Sequence, residues 1–394
     1  MSVPKLRFKE FSGDWEEKNL GEMTDTITSG SRDWAKYYSD SGCKFIRMTN
    51  LNRDGIQLKL DDLRFVDIKS SSSDGERTSL VQGDILMSIT AELGKIGWIP
   101  SNFGKAFINQ HTALIRIKRT GSNSIFVAHL LSTKKLNKQI NGLNDAGAKA
   151  GLNLPTIKSI CLTLPSLPEQ TKIANFLTAV DQKISLLTQK ATLLSQYKKG
   201  VMQQIFSQEL RFKDDDGQEF PEWEEKTLGD VFKVTRGNVL SMTLVSESQC
   251  EDNTYPVYSS QTKNNGLSGY FNSYLYEDSI TWTTDGANAG DVNYRQGKFY
   301  CTNVCGVLIN DEGYANACVA ELINAVSKKF VSYVGNPKLM NNVMTKIEIQ
   351  FPSVKEQTKI ANFLTAVDEK ITINQTQLNT VKQYKQGLLQ QMFV

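Results

Sequence analysis

From Leu177 onward, apolar residues return at alternating steps of three and four: Leu177, Val180, Ile184, Leu187, Ala191, Leu194, Val201 and Ile205. A second run keeps the same register at Leu364, Val367, Ile371, Leu378, Val381, Leu388 and Met392. This is the a/d seam of a heptad repeat, and it predicts two long helices, each with one apolar stripe that needs a partner. Lysines interrupt both seams at the same a position, Lys198 and Lys385, and Asn374 stands at d where the first run has Leu187. Polar seam residues can fix register and strand number at a cost in stability. The seams are equally long, so each is the natural partner of the other. An antiparallel pair of 39-residue helices, the first from Pro168 to Phe206, makes a rod of roughly 58 Å at about 1.5 Å per residue. The plainer alternative is two amphipathic helices, each lying on its own globular half, although five heptads outlast an ordinary surface helix.

Elsewhere the pattern changes to short β-branched runs bounded by Gly, Asp and Asn. Strands are expected at "KFIRMTNL" from Lys44, "QGDILMSIT" from Gln82, "GKIGWIP" from Gly94 and "HTALIRIK" from His111, followed by a helical stretch from Ser124. The second half offers the same order: "TYPVYSSQ" from Thr254, "EDSITWTTDG" from Glu277, "TNVCGVLIN" from Thr302 and a helix from Asn316. Period-two alternation beside helical segments predicts an α+β class.

The helical segments are copies. "EQTKIANFLTAVD" occupies Glu169–Asp181 and returns unchanged at Glu356–Asp368, and an ungapped match from Pro165 and Pro352 keeps 24 identities in 42 positions. "LRFK" at Leu6 returns at Leu210, and "WEEKNLGE" at Trp15 returns as "WEEKTLGD" at Trp223. The organisation is therefore globular 1–164, helical 165–209, globular 210–351 and helical 352–394, with the helices conserved between copies and the globular halves free to differ. Pseudo-two-fold symmetry follows. The first helix runs on into "SQELRFK", whereas the second stops at Val394, so the N-terminal "VPKLRFK" should fill the equivalent place and bring the two termini together.

Charge divides unevenly: residues 1–160 carry +6, 161–209 carry +2, 210–351 carry −7 and 352–394 carry +2, for a total of +3. Bulk charge therefore cannot argue for a nucleic-acid partner. No apolar stretch approaches the roughly 18 residues of a membrane span, and "MSVPKLRFKE" has no apolar run behind its charges. A soluble, cytoplasmic chain is expected. Six scattered cysteines include one close pair, Cys301 and Cys305, and the only histidines are His111 and His129. Reduced thiols fit this spacing better than a zinc site. No catalytic constellation, cofactor loop or metal site emerges: there is no N-P-P-Y tetrad, no glycine-rich loop opening a helix and no complete phosphate-binding P-loop. The E-x-K triplets Glu16–Lys18 and Glu224–Lys226 hint at a Mg²⁺-dependent nuclease, but a metal site needs a further upstream acid, and surface charge accounts for them.

Two dissimilar globular domains, each followed by a near-identical "LPEQTKIANFL" or "VKEQTKIANFL" helix, resemble the specificity subunit of type I restriction–modification systems, and the resemblance covers the whole chain. It implies two target-recognition domains reading the halves of a bipartite double-stranded DNA sequence. It also implies that the helices set the gap and dock two adenine methyltransferase subunits, through which endonuclease subunits join. Under this resemblance the helix-start residues Glu169, Gln170, Lys172, Ile173, Phe176, Glu356, Gln357, Lys359, Ile360 and Phe363 are candidates for partner binding.

Base edges are read by Arg, Lys, Asn, Gln, Ser or Thr held on loops. In the first domain such loops hold Ser29, Ser31, Arg32, Lys36, Arg47, Thr49, Asn50, Thr90, Lys95, Asn109, Gln110, Lys149 and Asn153. In the second they hold Arg236, Asn238, Ser260, Gln261, Lys263, Thr284, Asn288, Lys338, Asn341 and Asn342. Because the second domain is acidic, a local patch of Arg236, Lys263 and Lys338 is expected, with the acids facing elsewhere. Two other classes stay open, a coiled-coil scaffold that never touches DNA and a nuclease acting at the E-x-K turns.

Overall fold

The computed structural model describes residues 3–68, 75–143, 151–261 and 263–393. The chain forms two compact units: residues 1–188 with 376–394, and residues 189–375. Each unit therefore holds one globular half, the beginning of one long helix and the end of the other. The long helices span Leu167–Phe206 and Val354–Gln391, inside the segments 165–209 and 352–394 that the repeat marked as helical.

In the first unit, one four-stranded sheet runs in the order Thr24–Ser29, Thr112–Ile117, Ile85–Ser88, Ile96–Trp98. A second runs Tyr38–Ser39, Arg64–Val66, Cys43–Ile46, Ala106–Ile108. The helix Ser124–Leu131 starts on Asn123, whose side chain accepts hydrogen bonds from the backbone N–H groups of Ile125 and Phe126, the usual way to satisfy the orphan donors of a first turn. Buried Phe126, Leu130, Ile85 and Ile115 pack with Ile173 and Leu177 of the first long helix, and with Leu388, Met392 and Phe393 from the end of the second.

The second unit folds one six-stranded sheet: Lys233–Arg236, Cys305–Ile309, Tyr276–Thr283, Val292–Cys301, Tyr255–Tyr258, Leu267–Phe271. Its helix Ala317–Ser327 is capped by Asn316. The core joins Trp282, Leu308 and Ile323 to Ile205 from the end of the first long helix and to Ile360 and Leu364 from the start of the second. Each unit also pairs its "WEEK" segment with the strand just before its long helix, Glu16–Asn19 with Cys161–Leu164 and Glu224–Thr227 with Glu348–Phe351.

The two repeated motifs clasp one another. In the first unit, Arg7 donates from Nε and Nη2 to the fully buried carboxylate of Glu169, both at 2.7 Å, while Phe8 packs edge-on against Phe176. In the second, Arg211 donates to buried Glu356 at 3.3 and 3.0 Å, Trp223 Nε1 donates to the same carboxylate at 3.1 Å, and Phe212 packs on Phe363. The backbone N–H of Leu6 donates to the carbonyl of Gln391 at 2.9 Å, as that of Leu210 does to Gln204 at 3.0 Å. Within the first unit, then, the N-terminal "LRFK" does sit against the end of the second helix, as the repeat predicted.

Both seam lysines are paired. Lys385, 5% exposed, bonds to Asp181 inside the first unit. Lys198 meets Asp368 at 2.8 Å and Glu321 at 3.1 Å inside the second. Beside the first pair, His129 is fully buried with Nε2 3.6 Å from Asp181 Oδ2. Burial pushes its imidazole well below the usual value, and the charge of Lys385 adds to the effect.

Two outcomes follow. Arg7→Ala strands a buried carboxylate and should cost the first unit about 3 kcal/mol or more in denaturant unfolding, while Arg7→Met with Glu169→Leu recovers most of that loss. His129 is neutral when folded and takes up a proton when unfolded below pH ~6.5, so first-unit stability should fall with acidification below that point, by up to about 1.4 kcal/mol per pH unit. His129→Gln should remove that component, as read from unfolding curves between pH 5 and 8.

Candidate nucleic-acid interface

In each unit four segments meet at one edge of the fold. In the first, Ser31 bridges to Asn109 and Thr90 to Gly151, while backbone bonds run from Leu152 to Ile89 at 2.9 Å and from Ile89 to His111 at 3.1 Å. In the second, Asn238 bridges to Thr302 and Asp285 to Lys338, with Leu339 bonded to Thr284 at 2.9 Å and Thr284 to Val304 at 3.0 Å. The scaffold is the same and the side chains differ. A glycine permits the closest approach in each: a Cβ on Gly30 would lie 2.2 Å from the Ile108 carbonyl oxygen, and one on Gly237 2.3 Å from that of Cys301.

The first cluster is neutral and polar. Thr90 Oγ1 lies 2.9 Å from His111 Nδ1, Gln110 Nε2 lies 3.0 Å from His111 Nε2, and Asn109 Oδ1 accepts from the backbone of His111 and from Thr112. Ser29 ends the strand Thr24–Ser29, Ser31 and Lys36 follow it, Arg32 is exposed, and Arg77 Nη2 donates to the Ser29 carbonyl. Asn153 is exposed and caps a short helix through the Thr156 N–H. Lys149 lies outside the described residues. The "RMTN" loop serves the fold instead. Asn50 is 1% exposed and bonds to Arg47 N and Lys59 O. Arg47 is held by Asp62 at 2.7 Å, and only Thr49 of this loop is exposed. Lys95 pairs with Glu92. Asn50 is therefore corrected to a turn-forming residue, because every atom that could read a base is spent inside the loop.

The second cluster is charged. Arg236 donates to Thr284 Oγ1 at 2.9 Å and Asp285 Oδ2 at 3.0 Å, and Lys338 approaches Asp285 at 3.9 Å. An acid thus sits between two of the cations, contrary to the expectation that the acids would face elsewhere. Thr284 is fully buried and orients Asp285 at 2.6 Å, so it positions its neighbours. Asn341 Nδ2 donates to the Thr235 carbonyl, Asn238, Lys263 and Asn342 are exposed, and Ser260 is half-buried. Gln261 and Asn288, from separate loops, line one polar pocket with Arg295, a residue of the strand Val292–Cys301 that lies outside the loops singled out in the sequence.

The helix-start residues assigned to partner binding are mostly consumed within the chain. Glu169, Gln170, Ile173, Glu356, Gln357 and Ile360 are all at most 2% exposed. Gln170 bonds to Asn123 N and Pro165 O, and Gln357 to Asn316 and Pro352 O. Phe176 and Phe363 are half-buried against Phe8 and Phe212. Lys172 pairs with Glu10 and Lys359 with Asp215. The repeated signature fastens each helix to its own domain. As placed, the six buried side chains cannot touch a partner.

The E-x-K triplets lie on the two-stranded ladders, where Lys18 pairs with Glu16 at 3.2 Å and Lys226 with Glu224 at 2.7 Å. Cys301 and Cys305 are buried on strands consecutive in the chain but separated in the sheet by Tyr276–Thr283, and burial pushes their thiols up, Cys305 to about 11.

Residues 12–196 and 221–383 match the type I restriction modification DNA specificity domain. A putative type I restriction enzyme specificity subunit of Methanocaldococcus jannaschii is 26% identical over 411 aligned residues, covering 98% of this chain and 94% of that protein. A putative type I specificity subunit N-terminus of Mycoplasma pneumoniae is 41% identical over 140 residues, 35% of this chain and 73% of that protein. Among solved structures, the type I restriction–modification S subunit from M. genitalium superposes with a TM-score of 0.70 at 17% identity, over 100% of this chain and 99% of that one.

Gly30→Ala and Gly237→Ala each force a Cβ into a neighbouring backbone carbonyl. Each should destabilise its own unit by about 2–3 kcal/mol, which separate unfolding transitions or hydrogen exchange would resolve.

Proposed function

The chain belongs to the type I restriction–modification DNA specificity family, as a specificity subunit without catalytic chemistry of its own, and from that premise we propose that its domains 1–164 and 210–351 each read one half of a bipartite, asymmetric duplex target. The observation that carries this reading is the pair of four-segment clusters. The same backbone bonds hold both, while the residues on them differ: Thr90, Asn109, Gln110 and His111 in one, Arg236, Asp285 and Lys338 in the other. A constant frame with variable polar side chains is what reading two unlike sequences requires.

The spacers 165–209 and 352–394 pair as an antiparallel coiled coil in this proposal and set the gap between half-sites. Support comes from the seam itself and from its lysines, since Asp181–Lys385 in one unit and Lys198–Asp368 in the other are the same contact under the 187-residue repeat. Two adenine methyltransferase subunits dock on equivalent exposed faces of these helices, and endonuclease subunits join through them, in the cytoplasm where the duplex is found. Each unit has exposed apolar side chains on both of its helix segments: Leu186 and Tyr384 are 62% and 55% exposed in the first, and their repeats Ile373 and Tyr197 are 57% and 52% exposed in the second. These replace the buried signature residues as the proposed docking positions.

The decisive experiment maps methylated adenine across the genome of cells carrying the cognate methyltransferase, with and without this chain. A new motif with two unlike halves is expected, and exchanging residues 210–351 for those of another family member should change one half only. Co-purification without any split motif would sink the recognition role. Lengthening both helices by four residues should widen the unspecified gap; an unaltered gap would rule out the spacer role.

A further inference from the structure

The second unit contains a polar pocket of about 240 Å³, smaller than the roughly 300–1,000 Å³ of a cofactor or drug-sized site. Arg295 forms part of its wall and is 8% exposed. Its guanidinium is fixed on three sides: it stacks on the Tyr258 ring at 3.7 Å, Nε donates to Thr281 Oγ1 at 3.0 Å, and Nη2 donates to the Asn265 carbonyl at 2.7 Å. Two of the five N–H groups of a guanidinium are thereby used, and three remain. Among the described residues no carboxylate pairs with it. Asp291, the one acid lining the pocket, is held by Lys328 at 2.8 Å.

A buried cation without a counter-ion is costly unless something supplies the charge. The first unit shows that the fold does not demand it. There Leu86 pairs with Gly97 across the sheet, as Thr281 pairs with Asn293 in the second unit. Two residues further on stand Ile99 and Arg295 respectively. Ile99 is 1% exposed and packs with Leu51, Leu86 and Leu114 in a closed apolar cluster. One unit fills this place with hydrocarbon, whereas the other opens it and lines it with Arg295, Gln261, Asn265, Asn288 and Asn293.

We propose that this pocket is an oxyanion site that seats one backbone phosphate of the DNA bound by the second domain, with Arg295 as its preorganised donor. The inference rests on the recognition role above and answers a difficulty that role meets, because residues 210–351 carry −7 and bulk attraction to a duplex is absent. A phosphate fits better than a base edge. It protrudes from the duplex and brings a full charge to the unpaired guanidinium, and two of its oxygens match the fork. The site is missed by counting surface lysines, since its cation is buried; burial also lowers the proton affinity of Arg295 without discharging it.

The test uses the full chain with its methyltransferase. For Arg295→Gln, affinity for a duplex carrying the split motif should fall about tenfold, the slope of log K against log salt should shrink by about one, and the methylated motif should stay the same. Loss of one base from the motif would make Arg295 a base reader and overturn the phosphate assignment, as would an unchanged salt slope in a complex that still reads the motif. If Arg295→Gln fails to fold, Asn293→Asp adds a carboxylate to the wall of the same pocket and should produce the same reduced slope. If no split motif is found at all, the recognition role fails by itself, and the pocket is judged on the chain alone: inorganic phosphate should raise the Tm of the wild-type chain and not that of Asn293→Asp, and equal response of the two would overturn the site.

Discussion

The buried carboxylate at the first turn of each long helix is the constraint on which both units depend. Glu169 and Glu356 lie beneath 2% exposure, and a charge in that position persists only if a cation meets it in good geometry. The arginine that does so comes from a segment far away in sequence, Arg7 in one case and Arg211 in the other. Because an unpaired partner is so unfavourable, the clasp makes the "LRFK" segment, the helix start and the globular domain cohere as one unit. The second arginine closely follows the first long helix in the chain, whereas the first precedes its own globular domain, and the two clasps are nonetheless alike.

Around that clasp the units diverge freely. Their strands are bonded to one another through the backbone, which is indifferent to side-chain identity, so one framework can present a histidine–amide cluster in one unit and an arginine–aspartate–lysine cluster in the other. The same freedom reaches inward. The strand position occupied by Ile99 in an apolar cluster is occupied by Arg295 in a polar pocket, and each version is internally consistent, hydrocarbon packed on hydrocarbon or donor matched to acceptor.

The conserved letters proved to be the structural ones. "EQTKIANFL" recurs unaltered, and the family resemblance implied a shared partner for its two copies. The structure spends Glu, Gln and Ile of this motif on the adjoining domain, since both copies face the same internal neighbours. The positions left outward repeat as well, Tyr197 as Tyr384 and Leu186 as Ile373, but they stand outside the a/d seam and gave no signal of their own.

Periodicity alone settled a good deal. The heptad seam located both long helices to within about three residues, because a period of 3.5 sustained for five heptads marks a long helix whether its stripe meets another helix or a domain, and the duplication gave the globular–helical alternation and the meeting of "LRFK" with the second helix end. The longest strand, Val292–Cys301, was missed, for "VNYRQGKFYC" carries charges and a glycine where alternation would show, and only its central place between two other strands buries it. Charge placement was legible only in part: the sequence suggested that Arg236 and Lys338 share a patch, but not that Asp285 stands between them, and it gives Asn50 and Asn153 the same polarity although one is buried in a turn and the other exposed. Local pattern fixes which face of an element is apolar, because that depends on neighbours three, four or two residues away. Which polar groups meet depends on contacts between segments tens to hundreds of residues apart, and only the tertiary fold sets those.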